Sequence, residues 1–170
     1  MRSVPEVSTE WIIELVNVYA RRPREVAGEK HLPYPQLKVP GPAVAGRISR
    51  YDLIALADDI WAVFVANEAR QRAAALNQML DDADVRPHTD ASGQPRYATG
   101  QRNRLPILAA GCAVAILETV RRDGWSHLGI CAAHDCVDAY IDRRGRTPRK
   151  FCSATCLNRT RVRAHRARHT

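Results

Sequence analysis

The sequence predicts a mainly α-helical protein: a helical N-terminal body with one small β-hairpin, then a compact C-terminal module built on four cysteines. Three observations lead there. Apolar residues recur at helical spacing in separate stretches of the first 124 residues. Four of the five cysteines crowd into the last forty residues, spaced C-x4-C-x15-C-x3-C. Charge is split in the same way: residues 143–170 hold ten Lys/Arg and no Asp/Glu, whereas residues 1–142 hold sixteen Lys/Arg against eighteen Asp/Glu. The division is drawn at residues 1–124 for the body and 125–170 for the module.

Taken in order, Glu6 to Arg22 reads as the first helix, with Trp11, Leu15 and Val18 on one face and Pro23 as its stop. Arg24 to Gly46 holds four prolines and is expected to wrap the surface in extended form, burying Leu32, Tyr34, Leu37 and Val39; a lid over a pocket is the alternative. Ser49-Arg-Tyr-Asp52 has the form of a capping box and opens a long helix to about Leu80, with a polar stretch from Asn67 to Arg72 that permits a bend or a break. Asp58 and Asp59 are adjacent, point in different directions and are read as solvated rather than as a carboxylate pair. Ala91-Ser-Gly-Gln94 supplies the turn of the small hairpin. Leu105 to Arg122 is the next helix, with Pro106 in its first turn, Cys112 as a small core residue and Gly124 as the stop. Trp125 to Ile130 is too short for a free linker, so Trp125, Leu128 and Ile130 are expected to pack body and module together around His127.

The cysteines carry the chemistry. Cys131, Cys136, Cys152 and Cys156 form two close pairs, and zinc takes four thiolates in a tetrahedron. Disulfides are the competing reading. Residues 1–20 are acidic and amphipathic rather than signal-like, which gives a cytoplasmic expectation and favours metal. His134 lies between two ligands and could replace one. Val137 to Phe151 is the length of a β-hairpin, and Leu157 to Arg168 reads as a helix with Ser153 as N-cap. A ligand-bearing turn, a hairpin and two ligands at a helix start make a treble-clef-like finger.

Phe151-Cys-Ser-Ala-Thr-Cys-Leu-Asn-Arg159, followed by Val162-Arg-Ala-His-Arg166, resembles the C-terminal signature of CGNR-type zinc-finger proteins. The likeness is sharp over about forty residues. Leu157 stands where the family's signature has glycine, and the second cysteine pair is one residue tighter than in many members. The resemblance implies a bacterial transcription regulator with an ABATE-like helical domain before the finger. Leu15-Val-Asn-Val-Tyr19 resembles the Val-Asn-Thr segment of such domains, which singles out Asn17. It is either a buried amide bonded to a neighbouring loop or a contact in a ligand pocket.

Ten positive charges without an acidic neighbour point to a polyanion. Arg143, Arg144, Arg146, Arg149 and Lys150 fall on the hairpin arm, and Arg159, Arg161, Arg163, Arg166 and Arg168 on the helix. Arg159, Arg163 and Arg166 share one helical face. Val162 and His165 are read as facing the module, and Asn158 as bonding the zinc-bearing turn. Duplex DNA is the expected partner and the nucleoid the expected location, with zinc as the only cofactor. Structured RNA, or a protein-interaction or ligand-sensing module with the finger as scaffold, are the alternatives. A homodimer is compatible with either. No run of eighteen apolar residues is present, so no membrane span is expected. No phosphate loop, G-x-S-x-G or H-E-x-x-H motif occurs, and the expectation is a binding protein rather than an enzyme.

Overall fold

The computed structural model describes residues 1–40, 47–143 and 149–168. A short strand β1 (Arg2–Ser3) precedes α1 (Thr9–Tyr19) and α2 (Arg21–Val26). Then come α3 (Arg50–Val65), α4 (Ala69–Asp82), the strands β2 (Val85–Thr89) and β3 (Pro95–Thr99), and α5 (Arg104–Asp123). A single 3-10 turn (Trp125–His127) leads into β4 (Leu128–Ile130), β5 (Ala139–Ile141) and α6 (Ala154–Arg168). The chain is mainly helical, as its periodicity requires. No helix among the described residues is long and apolar enough to cross a membrane.

The helix α1 starts at Ser8, whose hydroxyl accepts from the Trp11 N–H at 3.2 Å. It ends at Ala20, whose backbone is extended, and not at Pro23. A continuous helix would drive the Pro23 ring against the Tyr19 carbonyl. The break three residues earlier puts Pro23 in the first turn of α2, where its missing N–H costs nothing. Ala20 has no side chain with which to cap α2. Asp58 on α3 does so instead, accepting the Arg21 N–H at 2.8 Å and pairing with its guanidinium. Asp58 is therefore half-buried and engaged, while Asp59 is exposed.

Residues 29–40 wrap the body. Arg24 is 2% exposed, stacks on Tyr34 at 4.1 Å, and donates to the carbonyls of Val18, Glu29 and Leu32. Trp11 and Tyr19 bond the carbonyls of Lys38 and Pro35. Tyr34, Leu37 and Val39 pack on the core, but Leu32 stays exposed.

Ser49 and Asp52 close a reciprocal capping box at the start of α3. The expected single helix to Leu80 is two helices, broken at Ala66–Glu68. Arg72 holds the break. Its guanidinium donates to the carbonyls of Ala66 (2.7 Å) and Phe64 (3.2 Å), two of the acceptors that the end of α3 leaves over. The same group reaches Trp125 O (2.8 Å) and Leu128 O (2.9 Å), fixing the chain where it enters β4.

The small hairpin forms as β2–β3, and β1 adds to β3 as a third antiparallel strand. Asp90 organises its turn, accepting from Ser92, Gln94 and Arg96, and these hydrogen bonds hold its carboxyl far below the usual carboxylate range. The N-terminal segment then lies on α5 at Gly111, where a Cβ would stand 2.6 Å from Val7. Cys112 is fully buried, and burial pushes its thiol well up, as suits a core residue. Gly124 ends α5 with φ 86°. The core gathers Ile12, Leu15 and Val16 of α1, Ile60 and Phe64 of α3, Leu76 of α4 and Ile116 of α5.

One strand pairing differs from expectation. Val137 to Phe151 was expected to form a hairpin within itself. The strand β5 pairs instead with β4, in the register Leu128↔Ile141 and Ile130↔Ala139, so the hairpin encloses the first cysteine pair. The apolar residues of both strands explain the choice: Leu128 and Ala139 are buried in the core, with Ile130 and Ile141 packed against it. Asp142-Arg-Arg-Gly145, a stretch whose composition suits a turn, lies partly outside the described residues.

Candidate metal centre

The turn between β4 and β5 carries Cys131 and Cys136. It is held by Cys131 N–H to Asp138 O (2.9 Å), Cys136 N–H to Ala133 O (3.3 Å) and Ala132 N–H to Lys150 O (2.8 Å). The last bond brings the chain that precedes the second pair against the first. Ser153 then caps α6: its hydroxyl accepts the Cys156 N–H at 3.2 Å, and its carbonyl accepts that of Leu157. Cys152 and Cys156 thereby sit one turn apart at the positive end of a helix.

The four sulfurs lie within 4.8 Å of one another. Cys152 Sγ is 3.6 Å from Cys136 Sγ and 3.5 Å from Cys156 Sγ. Four sulfurs each about 2.3 Å from one zinc ion stand about 3.8 Å apart in a tetrahedron, so the spacing fits. All four are free thiols, which leaves the disulfide reading without support. Cys131, Cys136 and Cys156 are buried and Cys152 is half-buried. Burial pushes Cys136 well up and Cys152 up to about 12. For Cys156 burial acts in the same direction, but hydrogen bonds from Ser153 and the neighbouring thiols bring it below the ordinary thiol value. Four crowded, dehydrated thiols ionise together only around a cation, and zinc is the one this donor set suits. His134 is not part of the cluster; its side chain is 61% exposed beside Asp135.

Asn17 resolves toward the bonded-amide reading. Its Nδ2 donates to Ala139 O at 3.0 Å and its Oδ1 accepts the Ala139 N–H at 2.8 Å, so the side chain extends the β4–β5 sheet with its own amide. It also lines a cleft of about 740 Å³ between α1, α2 and the knuckle. Trp61 Nε1–H reaches Val137 O at 3.3 Å, and His127 Nδ1 bonds the Asp142 carbonyl.

The arginines divide into two groups. Arg143 is an inter-element tie, bonded to Thr9 and paired with Glu10 at 2.6 Å. Arg149 is half-buried over Tyr140, and its Nε–H donates to Phe151 O. Arg159 turns back, pairing with Asp135 at 2.8 Å and donating toward Cys156 Sγ at 3.4 Å. Lys150 and residues 161–168 are exposed. Among the described residues no carboxylate pairs with Arg161, Arg163 or Arg168. Arg144 and Arg146 lie outside the described residues. The face shared by Arg159, Arg163 and Arg166 is thus occupied at its first member by the knuckle. Val162 (51% exposed) and His165 are exposed, so neither is buried against the module. The Asn158 side chain is exposed and makes no hydrogen bond among the described residues.

Sequence reasoning missed Arg72 and Asp135. Both act on partners remote in sequence, and nothing local marks them. No curated protein matches the chain. Residues 127–169, the span from the end of the 3-10 turn through α6, match the family model described as CGNR zinc finger.

Proposed function

We propose that this protein binds duplex DNA through the outer part of α6 and acts as a transcription regulator. One observation carries the reading. From Arg161 to Arg168, α6 is exposed on all sides and rich in arginine, and its start is anchored by two cysteines of the metal centre, Cys152 just before it and Cys156 in its first turn. A rigidly based helix about 10 Å wide fits a major groove, and guanidinium groups on several faces can meet phosphates and guanine edges together. Zinc supplies no reaction in this reading. It fixes the knuckle, and Arg159 with Asp135 stiffens the turn from which α6 leaves. The helical body is read as ABATE-like, on the Leu15–Tyr19 resemblance. A cytoplasmic, nucleoid-bound protein without catalytic activity follows from the same reading, and dimerisation is compatible with it.

The test is binding to duplex DNA, structured RNA and single strands at matched salt. Neutralising about four phosphates gives a log–log salt slope of about −3 to −4 for duplex. Replacing Arg161, Arg163 and Arg168 together with Ala is expected to weaken duplex binding more than about tenfold with zinc content unchanged. Tighter binding to structured RNA than to duplex would move the reading to an RNA partner. Equal affinity of wild type and triple variant would remove α6 from it.

A further inference from the structure

A second groove lies between α3, α4 and the start of α5. Its volume is about 420 Å³, within the range of small-molecule sites. Leu56, Met79 and Leu105 give it an apolar floor, and alanines on all three helices (Ala62, Ala75, Ala109) leave the space open. Three carboxylates stand in its lining: Asp52 and Asp59, two turns apart on one face of α3, and Asp82 at the end of α4. No Lys or Arg is among its described lining residues, in a chain of net charge +8.

The three carboxylates are not equivalent. Asp52 accepts the Ser49 N–H in the capping box, and Asp82 accepts from Gln78 at 2.8 Å. Asp59 has no hydrogen bond or ion pair among the described residues. Although its side chain is exposed, partial desolvation beside the groove wall, with the negative charges of Asp58 and Asp82, raises its pKa. An apolar floor favours a hydrocarbon or aromatic body, and an unpartnered carboxylate at its edge favours a positive head.

We propose that this groove binds a small amphipathic cation, with its apolar body on Leu56, Met79 and Leu105 and its ammonium group at Asp59. The site adds a ligand-sensing element to the regulator reading, but its occupancy does not depend on DNA binding. The two therefore fail separately.

The experiment titrates zinc-loaded full-length protein with three isosteric probes followed by NMR: 1-naphthylmethylammonium, neutral 1-naphthylmethanol and anionic 1-naphthoate. The expected result is a Kd below about 1 mM for the cation, binding about tenfold weaker for the neutral probe, and none for the anion. Shifts should be confined to residues of α3, α4 and α5. Asp59→Asn is expected to bring the cation to the neutral probe's affinity and leave the neutral probe unchanged. Ala109→Leu, which fills the groove, is expected to abolish both. Zinc content and the far-UV spectrum check that each variant is folded. Equal binding of the three probes, or cation binding unaffected by Asp59→Asn, would overturn the proposal. So would a dimer that the Asp59→Asn change or the cationic probe dissolves, since it would place the basic helix of a second copy in the groove instead.

Discussion

Arg72→Met offers the sharpest test of how the body holds the finger. The side chain keeps most of its apolar stem but ends where the guanidinium begins and loses every donor. Four carbonyls, those of Phe64, Ala66, Trp125 and Leu128, lose their partner together. A hydrogen bond from a charged donor contributes about 1.5–3 kcal/mol net. The four are not additive, because one guanidinium serves them all and bears one desolvation cost, visible in the lowering of its pKa by burial. Water can reach some of the freed carbonyls, since Arg72 is half-buried. The expected loss is about 3 kcal/mol, roughly 6–12 °C in Tm for a chain of this size. Arg72→Lys keeps the charge but not the planar fork, and is expected to restore less than half. The assay is reversible denaturation of zinc-loaded protein by circular dichroism, with zinc content measured on the same samples. Arg72→Met within about 0.5 kcal/mol of wild type would refute the idea that this residue joins the α3–α4 break to the finger.

Two further outcomes follow from the junction and the metal. Asn17→Leu removes both bonds to Ala139 and is expected to cost about 2 kcal/mol with DNA affinity unchanged; a shift in ligand binding without a stability loss would instead give Asn17 a pocket role. Removal of zinc by a chelator at neutral pH, or Cys131→Ser, is expected to melt the fifteen residues of α6 while α1 to α5 stay helical; an unchanged far-UV spectrum in the metal-free protein would show that the thiols do not hold the helix.

The metal centre was legible because its chemistry is local. Four cysteines in two tight pairs announce a tetrahedral thiolate site whatever surrounds them, and Ser49 with Asp52 or Gly124 announce helix ends in the same way. What sequence could not supply was the identity of distant partners. The break at Ala20 depends on Asp58, which caps Arg21 from 37 residues on, and a periodic apolar face runs through it unmarked. Alternation in Val137–Ile141 shows that a strand forms but not which strand it joins. The residue that decides it, Leu128, lies on the other side of the first cysteine pair. Arginine's charge was read correctly as an excess, yet Arg143, Arg149 and Arg159 spend theirs inside the molecule.

The β4–β5 pairing has a consequence for how such a chain can be cut or recombined. Leu128 and Ala139 are plugs in the hydrophobic interior of the helices, although the metal-binding turn they flank begins one residue past β4. A fragment starting at Trp125 would carry two greasy strands with nothing to cover them. A fragment ending at Gly124 would keep a matching trough open along α1 and α3. The finger is therefore not a portable cassette. Exchange of the basic helix α6 for another has to be made after Ile141, where the chain has already left the shared interior.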